Sequence, residues 1–240
     1  MAQSKKSKVA VVVGVGAGTG ASLARRFASD YAIALIARNG DYLRSLGDEL
    51  RAAGGDALEA PADVGDASAV AAAFATIRER LGDPDLLLYN AGSGTWGTIA
   101  EITPAQYEAD WRVNAFGAFL CAKEVAPAMI KRGAGAMLFT GATAGVKAGA
   151  KSVSFGPAKF AMRGLAQSLA RDLGPRGIHV VWINVDGAIA IPRVRERYPQ
   201  MKDEDMLKPD AIAETYWHLA HQDRSAWTME LEVRPFKEKF

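Results

Sequence analysis

The sequence has few residues that bind metals or form crosslinks. Cys121 is the single cysteine among 240 residues, which excludes an internal disulfide and a site with several cysteine ligands. A lone cysteine also suits the reducing cytosol. The three histidines, His179, His218 and His221, lie on a predicted strand and a late predicted helix without further ligands at the spacing of a metal site. We therefore expect no metal ion.

The sequence also lacks a strong charge of either sign and a long apolar run. Its 29 Lys and Arg residues nearly balance 27 Asp and Glu residues, so we expect neither nucleic acid nor a membrane as a partner. No run approaches the roughly 18 apolar residues of a membrane-spanning helix. The run Val9–Val13 ends at Gly14 and is too short for a signal-peptide core. These absences predict a cytoplasmic protein whose residues 1–8 form a flexible tail.

Short apolar runs alternate with helical patterns along the chain. Hydrophobic residues make up 49% of it and charged residues 23%, as in an average globular protein. Several runs are continuously apolar, which is typical of strands buried on both faces of a parallel sheet. The alternation predicts a single doubly wound α/β domain over residues 1–240, with a parallel sheet of about seven strands flanked by helices on both faces. The predicted strands are Val9–Gly14, Ala32–Ala37, Leu58–Ala62, Leu86–Tyr89, Ala136–Thr140, His179–Val185 and Glu230–Val233.

Capping signals mark the starts of two predicted helices. Asp66 is a predicted N-cap, and Thr103 and Gln106 form a predicted capping box around a proline at the first helical position. The long pattern that follows predicts two helices, or one helix kinked near Pro127. Residues 187–208 show no clear element and form a candidate substrate loop. The predicted helices are Ala21–Ser29, Asp41–Ala53, Ala67–Leu81, Pro104–Arg132, Pro157–Leu173 and Pro209–His221.

A glycine-rich turn lies between the first predicted strand and the first predicted helix. It contains Gly14, Gly16, Gly18, Thr19 and Gly20. Glycines let a pyrophosphate approach the backbone, and the N-terminus of the following helix offers N–H groups and the positive end of its dipole. Strand, turn and helix in this order predict a dinucleotide-binding site. The alternative is a tight turn with a purely structural role.

The end of the second predicted strand bears on which dinucleotide binds. An acidic residue there would bind the ribose 2′-hydroxyl of NAD. This sequence instead has Arg38, about 20 residues past the glycines, and an arginine can pair with the 2′-phosphate of NADP. We therefore expect NADP(H) to be favoured over NAD(H), although Asp41 is close enough to leave NAD(H) open.

Further motifs follow in order along the chain. They are Gly14-x-x-x-Gly18-x-Gly20, Ala62-Asp63-Val64, Asn90-Ala91-Gly92, Asn114 within Arg112–Gly117, Lys159, and Asp186-Gly187 in place of a Pro-Gly pair. With these motifs the sequence resembles the short-chain dehydrogenase/reductase family over nearly its whole length. The resemblance implies a Rossmann-type fold and an oxidoreductase that acts with NADP(H) on a small carbonyl or alcohol. It also implies a homodimer or homotetramer, with contacts through the helices that begin at Pro104 and Pro157.

The resemblance implies roles for individual residues as well. Asn114 and Lys159 stand at catalytic positions, and Lys159 would also bind the cofactor. The other implied cofactor contacts are Gly14, Gly16, Gly18, Thr19, Gly20, Asp63, Val64, Asn90, Ala91, Gly92, Gly187 and Ile189.

The sequence departs from the family at the positions that handle the proton. Phe155 occupies the tyrosine position of the family's Tyr-x-x-x-Lys motif, and Ala142 the position of its catalytic serine. Ile191 stands where the family often has a threonine that touches the nicotinamide. Phenylalanine has no proton to donate, and losing a positioned general acid costs about 10²–10⁴ in rate. The candidates that could replace the tyrosine as proton donor are Thr143, Thr140, Ser154, Tyr198, and Lys159 acting with water.

Two functional interpretations follow from these residues. The first is an NADP(H)-dependent oxidoreductase with an altered proton donor. The alternative is a catalytically weak or inactive NAD(P)-binding protein that acts as a sensor or an interaction module. A non-redox elimination or isomerisation would need a base that the sequence does not identify.

Overall fold

The apolar runs form parallel strands of one sheet in the computed structural model, which describes residues 8–238. The predicted flexible tail lies outside these residues, except for Lys8. The strands are β1 (Val9–Val13), β2 (Ala32–Ile36), β3 (Ala57–Glu59), β4 (Leu86–Tyr89), β5 (Gly135–Thr140), β6 (Ile178–Val185) and β7 (Glu230–Val233). Their order across the sheet is β3-β2-β1-β4-β5-β6-β7, and every neighbouring pair is parallel. This confirms the predicted doubly wound α/β fold.

Helices cover both faces of the sheet. They are α1 (Thr19–Phe27), α2 (Gly40–Ala52), α3 (Ala67–Arg80), α4 (Pro104–Trp111), α5 (Gly117–Arg132), α6 (Phe155–Leu173), α7 (Pro192–Arg197) and α8 (Pro209–Ala220). Successive strand residues point to opposite faces. Val11 therefore belongs to a core with α3, α5 and α6, whereas Val12 belongs to a second core with α1, α2 and α8.

The predicted helix caps are present. The Asp66 side chain accepts hydrogen bonds from the backbone N–H groups of Ser68 and Ala69. Thr103 and Gln106 form the reciprocal capping box, with a proline in the first turn of α4. Both caps satisfy N–H groups that a helix leaves without partners at its start.

The long helical stretch is interrupted at Arg112–Phe116, which forms a π-turn, and not near Pro127, which lies inside α5. The Asn114 side chain explains the position of the break. Its Nδ2 donates to the carbonyl of Asp110 at 2.8 Å, which is the acceptor that a backbone N–H would use in a regular helix. Turns of this kind are frequent at functional sites.

By length and composition, the stretch Pro104–Arg132 is apolar enough to cross a membrane. Its mean hydropathy reaches 1.3, and 44% of its most apolar window is buried. Cys121, Val125 and Met129 on α5 are buried in the core. The core helices of globular proteins meet the same length criterion, so it does not by itself indicate a membrane span.

Two segments differ from their predicted form. Helix α6 begins at Phe155 rather than Pro157, because a proline within the first turn needs no N–H partner. The candidate substrate loop, residues 187–208, contains the short helix α7. A backbone bridge between Ile189 and Leu207 joins the two ends of this segment.

Candidate active site

The turn after β1 brings backbone segments too close together for side chains. Gly14 has a φ of +83°, and a Cβ there would lie 2.3 Å from the backbone nitrogen of Ala91. A Cβ on Gly20 would lie 2.5 Å from the Gly14 carbonyl oxygen. Only glycine accommodates these approaches without strain, so the close turn predicted from sequence is present.

Two features of this turn fit a bound diphosphate. A Cβ on Gly16 would meet nothing within 4 Å, so the space beside it is open. Thr19, the first residue of α1, is 6% exposed, and its Oγ1 has no hydrogen-bond partner among the described residues. Buried hydroxyls normally have partners, and the N-terminus of a helix attracts anions. The residues present therefore fit the expected dinucleotide.

Arg38 lies at the opposite end of this region, just after β2, and is exposed. Within residues 8–238, no salt bridge includes Arg38, whereas Asp41 pairs with Arg44. Asn39 caps α2 by accepting a hydrogen bond from the backbone N–H of Tyr42 at 3.1 Å. The guanidinium thus remains accessible to a phosphate group, and the nearby acid already has a partner.

The other predicted cofactor residues follow β3 and β4. Val64 is buried, and the exposed Asp63 accepts a hydrogen bond from a backbone N–H two residues further on, at 2.9 Å. Asn90 Nδ2 donates to the Gly14 carbonyl at 3.0 Å, which joins the end of β4 to the glycine turn. Gly92 is exposed. The structure groups Asn90 and Ala91 with the turn, while the contacts of these residues and of Gly92 with a cofactor stay a prediction.

The segment after β6 lies against the same turn. Gly187 has a φ of +142°, and a Cβ there would lie 2.7 Å from Pro235 Cδ. Ile189 packs against the core that contains α1. A Cβ on Gly18 would lie 2.5 Å from Ile191 Cγ2. Through Ile191, the segment after β6 therefore lies close to the glycine turn.

Lys159 is the buried cation of the site. It is 4% exposed, and its Nζ donates to the carbonyl of Thr140 at 3.0 Å. Removal from water disfavours the charged form and lowers the pKa of Lys159 to about 8. A Cβ on Gly92 would lie 3.5 Å from both Lys159 Nζ and Asn114 Oδ1. The ammonium group and this amide oxygen thus border the same space.

Asn114 is fully buried within the π-turn. Its Nδ2 donates to the carbonyl oxygens of Ser93 at 2.6 Å and Asp110 at 2.8 Å. Its Oδ1 has no partner among the described residues. Because a buried amide oxygen without a partner is costly, it is suited to accept a hydrogen bond from a water or a ligand beside Lys159. The structure therefore brings together the two residues predicted as catalytic.

Phe155 forms an apolar wall of the same space. Its ring centre lies 5.7 Å from Lys159 Nζ and 5.4 Å from the centre of the Trp96 ring. A Cβ on Gly94 would lie 3.0 Å from the Phe155 ring. This wall is apolar and offers no proton. The methyl group of Ala142, which precedes the turn after β5, offers none either.

Two of the candidate substitutes for the proton donor are committed to internal hydrogen bonds. Thr140 Oγ1 is 2.7 Å from the buried hydroxyl of Tyr216. Ser154 Oγ donates to Asp110 Oδ2 at 2.6 Å. Tyr198, in the segment after β6, is 39% exposed. Thr143 is a third, because its Oγ1 donates to a carboxylate at the sheet edge, that of Asp186.

Sequence reasoning missed Asp110, a buried carboxylate of the site. Asp110 is 1% exposed and accepts hydrogen bonds from Ser93 Oγ at 2.8 Å, Thr95 N at 2.7 Å and Ser154 Oγ at 2.6 Å. These bonds join the loop after β4 to the start of α6. The available signal was an acidic residue four positions before Asn114, on the same predicted helix.

Sequence reasoning also missed Arg234 and the pairing role of Asp186. Arg234 forms an ion pair with Asp186. The sequence did contain one sign that Asp186 is unusual, because an acidic residue stands there where the family resemblance leads one to expect proline. Nothing in the sequence indicates its partner.

The histidines pack against aromatic rings. His179 stacks on Trp227 with ring centres 4.7 Å apart, and His221 stacks on Trp217 at 4.3 Å. Across residues 8–238, no three His, Cys, Asp or Glu side chains lie together in a way that could hold a metal ion. The histidines therefore contribute to packing.

Comparison with known proteins agrees with this architecture. The family model described as short chain dehydrogenase matches residues 8–200, and the chain belongs to the short-chain dehydrogenase/reductase family. The D-xylose 1-dehydrogenase of Caulobacter vibrioides is 31% identical over 235 residues, which cover 94% of this chain and 93% of that protein.

Two solved structures are similar along nearly the whole chain. A metagenomic short-chain oxidoreductase in complex with NADP is 30% identical, with a TM-score of 0.84 over 98% of this chain and 100% of that one. An actinorhodin polyketide ketoreductase with NADPH is 27% identical, with a TM-score of 0.88 over 97% of each chain. The family resemblance seen in the sequence is thereby confirmed.

Proposed function

We propose that this protein is an NADP(H)-dependent oxidoreductase that acts on a small carbonyl or alcohol and exchanges its proton with a group other than tyrosine. One observation carries the proposal. The glycine turn and the buried pair of Lys159 and Asn114 lie at the same carboxyl edge of the sheet, where doubly wound folds bind their ligands. A structural turn alone would not need a desolvated ammonium group beside it.

The chain supplies the binding and positioning groups. The turn at Gly14 and the Thr19 hydroxyl would hold the diphosphate, and Lys159 would hold the nicotinamide ribose, as the family resemblance implies. When bound, the cofactor supplies or accepts the hydride. Asn114 Oδ1 and Lys159 Nζ would hold a water or a substrate group in the space they share, and Phe155 would form its apolar side.

Preference for NADP(H) is part of the proposal. Arg38 is exposed and outside every salt bridge of residues 8–238. A guanidinium binds a phosphate through charge-assisted hydrogen bonds. The relatives solved with NADP and NADPH support the same choice.

A second candidate function rests on Phe155 and Ala142. By the resemblance these residues replace the tyrosine and the serine that act on the substrate, and neither has a proton to donate. A protein that binds NADP(H) and responds to it without redox chemistry would show the same two residues.

We also propose a cytoplasmic homodimer or homotetramer. Large side chains are exposed on the helices that the resemblance implies as contact surfaces: Tyr107 is 45% exposed, Trp111 41%, Phe119 44% and Phe160 42%. Aromatic residues are enriched at protein interfaces. Light scattering coupled to size-exclusion chromatography tests this assembly, and Phe119→Glu is expected to dissociate it.

Cofactor titration is the experiment that tests the main proposal. Purified protein is titrated with NADPH and with NADH while nicotinamide fluorescence is followed. We expect micromolar binding of NADPH and binding of NADH at least about 10-fold weaker, since charge-assisted bonds contribute about 1.5–3 kcal/mol. Failure to bind either cofactor overturns the proposal. Binding without turnover of any alcohol, aldehyde or ketone favours the sensor.

A further inference from the structure

The ends of three neighbouring strands carry a polar cluster. Asp186 directly follows β6, Arg234 directly follows β7, and Thr143 opens the turn after β5. The Asp186 backbone N–H donates to the carbonyl of Val233 at 2.8 Å. The cluster therefore lies at the edge of the sheet that also carries the glycine turn, where ligands bind.

Both carboxylate oxygens of Asp186 have partners. Thr143 Oγ1 donates to Oδ1, and Arg234 Nη2 pairs with Oδ2. Asp186 is 4% exposed, and the Arg234 side chain is 18% exposed. Arg234 also pairs with Glu232 at 2.7 Å. These contacts fix the carboxylate, and the carboxylate in turn fixes the rotation of the Thr143 hydroxyl.

The direction of the bond from Thr143 decides what this side chain can recognise. A threonine hydroxyl has one proton and two lone pairs, and an ionised carboxylate only accepts. Because the proton of Thr143 goes to Asp186, its Oγ1 presents lone pairs to its surroundings. The methyl group of the neighbouring Ala142 neither donates nor accepts. The group that suits this surface is therefore a hydrogen-bond donor, such as the hydroxyl of an alcohol.

We propose that Thr143 binds the hydroxyl of an alcohol substrate and passes its proton to Asp186 during oxidation, an inference that rests on the proposed function. The alcohol O–H bond breaks and its proton moves to Thr143 Oγ1, while the original Thr143 proton moves to Asp186 Oδ1. The carbinol hydrogen leaves as a hydride to an oxidised nicotinamide dinucleotide, and a carbonyl product forms. After the carbonyl product leaves, Asp186 Oδ1 returns its proton to Thr143 Oγ1, and Thr143 passes its other proton to a water that enters the vacated position. In the reduction direction the same two protons move in reverse.

In this scheme Thr143 is the catalytic residue and Asp186 is a positioning residue that acts through it. The test compares NADP⁺ reduction by a panel of primary and secondary alcohols in wild-type protein and in variants. Thr143→Val removes the hydroxyl and is expected to lower kcat by about 100-fold or more. Thr143→Ser keeps the hydroxyl and is expected to stay within about 10-fold of wild type.

Asp186→Asn keeps an oxygen that accepts from Thr143 but removes the basic carboxylate. We expect kcat to fall by about 100-fold while KM for the alcohol changes little, which a purely structural role would not produce. Glu230→Gln is the matched control. Glu230 lies on β7, the strand that Arg234 follows, and its carboxylate also pairs with an arginine, Arg163, at 2.7 Å. This control is expected to keep wild-type kcat.

A second readout does not depend on turnover. Ligand-observed NMR compares binding of 1-phenylethanol and acetophenone to the cofactor-free protein. Wild-type protein is expected to bind the alcohol more tightly than the ketone, and Thr143→Val is expected to abolish the difference because the acceptor is lost. Equal binding of the two probes by wild-type protein, or binding of neither, overturns the proposal.

The outcomes separate this inference from the proposed function. If NADPH binds and alcohols are oxidised, but Thr143→Val and Asp186→Asn keep wild-type kcat, the relay is wrong and the oxidoreductase stands. If NADPH binds and no alcohol is oxidised, the relay is overturned and the sensor is favoured. If NADPH does not bind, both proposals fail.

Discussion

Two regions of the carboxyl edge of the sheet are built by different means. The region after β1 and β4 is made of backbone, with Gly14 so close to Ala91 that a Cβ would lie 2.3 Å from its nitrogen. The region after β5, β6 and β7 is made of side chains, with Thr143, Asp186 and Arg234 joined by hydrogen bonds and an ion pair. The first region is thus constrained by steric contact, and the second by the pairing of polar groups.

This difference has a consequence for function. A turn whose backbone segments are in contact has no room for an added side-chain atom. A polar cluster can accommodate a different residue as long as every buried polar group keeps a hydrogen-bond partner. A fold can therefore keep its cofactor region and change the groups that handle the substrate proton. Ala142 directly precedes Thr143 of the second region, and Phe155 lies beside Lys159; by the resemblance these two residues depart from the family pattern.

The largest expected effect on cofactor binding is in the steric region. Gly14→Ala would place a Cβ 2.3 Å from a backbone nitrogen at a residue with a φ of +83°, so the turn must move. We expect NADPH affinity to fall by at least about 100-fold, and the melting temperature to fall, because such a clash costs several kcal/mol. Fluorescence titration and thermal unfolding measure the two effects.

A matched glycine provides the control. A Cβ on Gly164, within α6, would meet nothing within 4 Å. Gly164→Ala is therefore expected to leave NADPH affinity unchanged and to stabilise the protein by about 0.5–1 kcal/mol. If Gly14→Ala bound NADPH with wild-type affinity, the turn after β1 would not be the binding site of the cofactor.

The next effect concerns the second region. Phe155→Tyr combined with Ala142→Ser would supply the hydroxyl groups expected from the family. We expect carbonyl reduction by NADPH to rise by about 10²–10⁴-fold, the usual contribution of a positioned general acid. Phe160→Tyr is the control, since Phe160 is 42% exposed on the same helix. A rate that does not rise in the double variant would contradict the assignment of these two positions.

Much of the fold and of the cofactor region could be predicted from the sequence because both depend on local patterns. Continuous apolar runs predict buried parallel strands, and the glycines after β1 predict the close turn. The π-turn could not be predicted, because it depends on the bond of the Asn114 side chain to the carbonyl of Asp110. The ion pair between Asp186 and Arg234 was also missed, since its partners are 48 residues apart and only the pairing of β6 with β7 brings them together.

Lys159 connects the two regions, and its charge makes stability depend on pH. Burial lowers its pKa from 10.5 to about 8, so the folded protein binds this proton less tightly than the unfolded chain. The charged lysine then costs about 3 kcal/mol of stability below pH 8. The cost diminishes as the pH rises from about 8 and vanishes above 10.5.

Lys159→Met tests this dependence by urea unfolding between pH 7 and pH 11. We expect the variant to be more stable than wild type by up to about 3 kcal/mol at pH 7, and this advantage to disappear towards pH 11. Lys123→Met, at an exposed position of α5, is expected to show no such pH dependence. A constant difference between wild type and Lys159→Met across this range would show that Lys159 is not desolvated.

The smallest effect is expected at the outer end of the cofactor region, where binding depends on a side chain rather than on backbone. Arg38→Ala removes an exposed guanidinium that has no salt bridge within residues 8–238, so we expect unchanged thermal stability and NADPH binding weakened by about 10-fold. NADH lacks the 2′-phosphate, so its affinity should stay the same. Arg176→Ala is the control, since Arg176 pairs with Asp172 at 3.0 Å in the turn before β6, away from the carboxyl edge of the sheet. If Arg38→Ala lost affinity for NADPH and NADH equally, Arg38 would not bind the 2′-phosphate. A preference for NADP(H) would then have to come from other residues.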